Sequence, residues 1–165
     1  KFNSILALIG TVFCFILFPL LSQQRNFTNV ELPIYNFMKF ACTINVVFAM
    51  TSSIITSTVV SLFFELKIGI KDFIFASIAG GIAVGASSDL ITNLAGTLVI
   101  GIVAGIIQVL WNRLMDKYVN QISIIDSLSS LGLFGIAGIQ GGIWSAIYAG
   151  VQGNDTLKSI FLDNK

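Results

Sequence analysis

Apolar positions in this chain run in long uncharged blocks, with neither strict alternation nor a one-sided helical stripe. Five blocks stand out: residues 2–24, 40–64, 73–88, 90–112 and 127–154. About 20 apolar residues rise about 30 Å as a helix, the thickness of a bilayer's hydrocarbon layer, and about 17 is the short limit. The pattern predicts an all-α fold, a polytopic membrane helix bundle of about five transmembrane helices. Residues 1–165 form a single transmembrane domain in this reading.

Each block carries its own punctuation. The first has an apolar core at 5–21, a proline at Pro19 and a polar exit from Ser22 to Arg25. A cleaved signal peptide is the competing reading, but the run is long for one and lacks a small-x-small cleavage site. The second holds Thr51-Ser52-Ser53 and Thr56-Ser57-Thr58, hydroxyls expected to bond their own helix carbonyls in lipid. The third has only 16 residues unless 70–72 join it, and it is dense in alanine and glycine. Asp89 alone separates it from the fourth, so a tight turn at 89–93 should join two antiparallel helices, with Asp89 capping the second. In the fifth, apolar at 131–151, Asp126 reads as a preceding N-cap. Trp111 suits an interfacial belt, while Trp144 and Tyr148, four apart, either face lipid near the outer interface or pack internally.

Glycine costs stability in a soluble helix but lets backbones approach in lipid. The pairs Gly81 and Gly85, Gly101 and Gly105, and Gly138 and Gly142 therefore predict tight packing of the last three spans. Packing alone is a sufficient reason for them.

Composition agrees with a lipid solvent: 55% of residues are hydrophobic and 10% charged, with a mean hydropathy of +0.90. Such a chain has too few charges to cover a water-exposed surface. A formal net charge of +1 leaves no concentrated basic face, so no nucleic-acid partner is expected. Histidine is absent, which removes the commonest general base and neutral metal ligand. Cys14 and Cys42 lie inside apolar runs, and Gly85-Ala86-Ser87-Ser88-Asp89 has no visible base beside it. Neither an enzyme, a metal site nor a cofactor is expected. The chain starts at Lys1 rather than Met, as expected of a fragment, a processed product or one piece of a longer reading frame.

Basic residues near span ends set the orientation. With Lys1 in the cytosol, the inside segments hold Lys1, Lys67, Lys71, Arg113 and Lys117, against Arg25, Lys39, Lys158 and Lys165 outside. Residues 22–35 are then expected outside, and 65–72 and 113–126 in the cytosol. The outside loop contains the sequon Asn26-Phe27-Thr28, which gives mild support. These patterns leave transport, scaffold and anchor open.

The order of short motifs narrows the choice. Leu6-Ala7-Leu8-Ile9-Gly10-Thr11-Val12-Phe13 with Phe18-Pro19, then Tyr35 to Cys42, resemble helices of the ammonium transporter family, Rhesus-like branch. Residues 79–89, Ala-Gly-Gly-Ile-Ala-Val-Gly-Ala-Ser-Ser-Asp, are similar to its Ala-Gly-Gly-Val-Ala-Val-Gly-Thr-Ser-Ser-Glu, and Gly96 to Gly105 continues the match. Asp126 to Gly142 is similar to its Asp-Thr-Cys-Gly-Val-His-Asn-Leu-His-Gly-x-Pro-Gly segment. The likeness covers roughly residues 3–151 and corresponds to the C-terminal half of that family's fold.

The resemblance implies a multi-pass plasma-membrane protein, embedded in a lipid bilayer as a homo-trimer or hetero-oligomer, with a narrow pore for ammonia, ammonium or another small neutral solute. Carried over residue by residue, an aromatic gate falls on Leu21, two pattern histidines on Leu131 and Phe134, and the pattern proline on Ala137. Leu21, Leu131, Phe134 and Gly135 are thus the pore-facing candidates. Scaffold glycines persist at Gly135, Gly138 and Gly142, whereas the polar pore chemistry does not. The alternative is a non-conducting relative that keeps the fold for subunit assembly, and a third reading is an unrelated membrane anchor.

Overall fold

The structure, a computed structural model, describes residues 2–22, 32–65, 70–91, 93–122 and 131–151. Five α-helices account for nearly all of them: α1 Phe2–Ser22, α2 Leu32–Glu65, α3 Ile70–Gly85, α4 Leu94–Ile122 and α5 Ala137–Val151. A π-helical segment, Leu131–Ile136, leads into α5. In lipid every backbone N–H and C=O must be satisfied within the segment, so even runs rich in Val, Ile, Thr and Phe become helices.

The all-α membrane bundle expected from the apolar blocks is present. Three helices are long and apolar enough to cross a bilayer: Ile5–Ser22, Asn36–Phe64 and Leu94–Leu114. With 16 residues, α3 rises only ~24 Å, less than the hydrocarbon thickness. The π-helical segment and α5 together supply a fifth continuous element.

Helix ends differ from the uncharged blocks. The loop expected at 22–35 is shorter, because α2 already begins at Leu32, with Pro33 in the first turn, where a missing N–H is tolerated. Similarly, α4 continues through Arg113 and Lys117 to Ile122, so most of the segment expected as a cytosolic loop at 113–126 is helical. A charge need not end a helix when it is paired, and Arg113 bonds Asp72 of α3 at 3.4 Å. Arg25, Asn26, Lys67 and Asp126 lie outside the described residues.

Helices α2, α3 and α4 pack on one another, α1 lies against α2 and α3, and α5 chiefly against α3. The main core joins Val46, Ala49 and Met50 of α2, Ala83 and Val84 of α3, and Ile100 and Ala104 of α4. Trp144 and Tyr148 pack against that core, which settles their position as internal. Their rings are tilted 42° at a 6.4 Å centroid distance.

Residues 49–53 of α2 form the seam. A Cβ on Gly80 would lie 2.8 Å from the Ala49 carbonyl oxygen, and one on Gly105 would lie 2.5 Å from that of Ser53. At Gly101 it would meet Ser52 Oγ and the Ala49 carbonyl. Thr51, Ser52, Thr56, Ser57 and Thr58 donate to carbonyls three or four residues back, at 2.8–3.1 Å. Ser53 instead crosses to the Ala76 carbonyl of α3 at 2.7 Å.

Candidate functional site

The segment Leu131-Gly132-Leu133-Phe134-Gly135-Ile136 is π-helical, a geometry that is rare and concentrated at functional positions. Leu133 is buried against Ala79 of α3 and Ala137, with Phe75, Ile78 and Ile82 around them. Its neighbour Phe134 is 58% exposed, and Gly135 is half-buried. Leu131 opens the segment, but its side chain lies outside the described residues.

Leu21, near the end of α1, is 56% exposed. One turn earlier, Phe18 lies against Gly81 of α3, where a Cβ would be 3.3 Å from its ring. The segments carrying Leu21 and Phe134 are therefore anchored within two residues of each other on α3, at Gly81 and Ala79. Helix α3 packs against both α1 and α5. Both apolar candidates are exposed among the described residues. A phenyl ring offers an apolar surface and a weak attraction for cations, but no hydrogen bond.

The packing glycines divide. Gly81, Gly101 and Gly105 meet neighbouring helices, whereas a Cβ at Gly85, Gly138 or Gly142 would find no described atom within 4 Å. Gly80 and Gly141, outside the spacing motif, are tighter than Gly81: a Cβ on Gly141 would lie 2.9 Å from the Ala83 carbonyl oxygen.

Two buried polar clusters escaped the sequence reading. In the first, Ser61 Oγ donates to Asp72 Oδ2 at 2.8 Å, and Arg113 donates to the same oxygen at 3.4 Å. Asn112 Nδ2 donates to Asp72 Oδ1 at 3.4 Å and its own Oδ1 accepts from Gln108 at 3.2 Å. This cluster ties α2, α3 and α4 at the first turn of α3. In the second, Asn45 Nδ2 donates to the carbonyls of Ser88 and Ile91, both at 2.9 Å, and Oδ1 accepts from Thr97 at 3.2 Å. Asn45 thereby holds the turn after Gly85, where Ser87 and Leu90 close short backbone bonds. A lone amide inside an apolar run, and single charges at the edges of runs, were the available signals. Among the described residues no group of three or more His, Cys, Asp or Glu could hold a metal ion.

Trp111 is half-buried near the C-terminal part of α4. Its indole lies against Gly132, and its Nε1 is buried without a hydrogen-bond partner among the described residues.

A family model described as Ammonium Transporter Family matches residues 1–162. The chain is 26% identical over 157 residues to ammonium transporter Rh type C of Rattus norvegicus, covering 93% of this chain and 30% of that protein. It is 29% identical over 168 residues to ammonium transporter Rh type C-like 2 of Danio rerio, covering 96% and 33%. To ammonium transporter Rh type A of Canis lupus familiaris it is 27% identical over 162 residues, covering 96% and 37%. The chain spans about a third of the length of these curated relatives.

Proposed function

The chain belongs to the ammonium transporter family, and on that premise we propose that it forms part of a passive membrane path for ammonia, ammonium or a similarly small neutral solute. The family match across residues 1–162 carries this reading. No covalent chemistry is required of it. Leu21, Leu131, Phe134 and Gly135 would line the path, and the exposure of Leu21 and Phe134 on uncovered faces supports that role. The protein would work in the plasma membrane, in a homo-trimer or with other subunits. Its open glycines Gly138 and Gly142 leave α5 free for such contacts.

Phe134 stands where the family pattern has histidine, so a solute passing it forgoes a hydrogen bond worth about 1–3 kcal/mol when desolvated. That substitution favours a second reading, a non-conducting member kept for assembly. Ammonia or methylammonium uptake by the intact protein separates the two. Phe134→His should raise flux by about tenfold, the equivalent of about 1.4 kcal/mol. Phe134→Leu adds space without a donor, so a gain in both variants means a steric plug and a gain in the histidine variant alone means lost chemistry. No gain in either, with normal expression, favours the assembly role.

A further inference from the structure

Two successive residues of the π-helical segment are held by two different helices. Gly132 is buried against α4, where a Cβ would fall on Cδ1 and Nε1 of the Trp111 indole. Leu133, only 6% exposed, is seated on Ala79 of α3. The residue after them, Phe134, is 58% exposed and so turned away from both supports.

A buried indole N–H usually finds an acceptor. That of Trp111 has none among the described residues, although the edge of the ring that carries it lies against Gly132. The ring is therefore seated by shape, its edge filling the space that a side chain at position 132 would need. Rotating the segment about its axis would drive Gly132 into that edge or lift Leu133 off α3.

We propose that Trp111 is a positioning residue: through Gly132 it holds the π-helical turn and sets the direction in which Phe134 faces. The functional weight of this rests on Phe134 lining the solute path. Its structural content does not.

The test uses the intact protein with Cys14→Ala and Cys42→Ala, adding Phe134→Cys as probe and Ile147→Cys as a control; Ile147 is 46% exposed further along α5. Modification rates are measured with membrane-permeant N-ethylmaleimide, and methylammonium uptake is measured before and after modification. Trp111→Ala removes the wedge and Gly132→Ala pushes against it, so each should change the maleimide rate at position 134 by about fivefold or more, while the rate at 147 stays within about twofold. Combining Gly132→Ala with Trp111→Leu should restore the parent rate, because the shorter side chain makes room for the methyl group. Rates at 134 unchanged by both single variants, or equal changes at 134 and 147, would overturn the proposal. Methylammonium uptake addresses the path separately: uptake by the Phe134→Cys protein that full maleimide modification leaves unchanged sinks the pore-lining reading, while the maleimide rates still decide the role of Trp111.

Discussion

Asp72 brings a carboxylate into the bundle in the first turn of α3, and donors from two other helices surround it. Only 12% of its side chain is exposed, against 25% for Arg113, so solvent screens the charge pair in part. The larger penalty for losing Asp72 comes from the donors it leaves behind, since a buried donor without an acceptor costs about 1–3 kcal/mol. Asp72→Ala should therefore lower the thermal midpoint of the detergent-purified protein more than Ser61→Ala, which removes a single neutral donor. A Ser61→Ala loss equal to or greater than that of Asp72→Ala would show that the carboxylate is not the organising group. Asn45 does comparable work at the other end of α3, where one amide satisfies two carbonyls of a non-helical turn.

At the scale of helices, residues 49–53 of α2 serve two interfaces at once. Small and hydroxylated side chains there let α3 and α4 approach until glycine is the only residue that fits at positions 80 and 101. Replacing Gly101 with leucine must push the Ala49 carbonyl and Ser52 away. This should cost at least the 1–3 kcal/mol typical of an overpacked core, roughly, and reduce folded yield. Val99→Leu, at a position 47% exposed, should be tolerated. Gly138→Leu separates packing within this chain from packing against something else. Its Cβ direction is open here, so a folded monomer that loses its oligomeric state on size-exclusion chromatography would show that another subunit or segment occupies that face.

For the whole molecule the open question is orientation across the bilayer, which the balance of lysine and arginine addresses. With α1 running outward, cysteines introduced at position 28 should react with an impermeant reagent applied to intact cells, and those at position 69 should not. The reverse labelling would overturn both the orientation and the correspondence with the family's topology. In either orientation α3 has packed neighbours on several sides and is the shortest helix apart from α5. Polar clusters hold both of its ends, around Asp72 at one and Asn45 at the other.

Helix number, class and approximate limits were legible along the chain because lipid leaves a backbone only one local solution, and length and apolarity are local properties. The family was legible as well, in the ordered motifs from Leu6 to Gly142. Helix ends were less so: the uncharged blocks end at Lys39 and Arg113, although α2 and α4 run on past both, Arg113 finding its partner in Asp72 of another helix. Tertiary structure decided which polar residues matter. Asn45 with Ser88 and Thr97, and Asp72 with Asn112, are separated by 40 residues or more. They meet only when the rotation and height of three helices are set together, and no local pattern records that. The same reason hides the glycines: Gly80 and Gly101 are tight while Gly138 and Gly142 are open, because what faces a glycine depends on the neighbouring helix and not on its spacing from the next one.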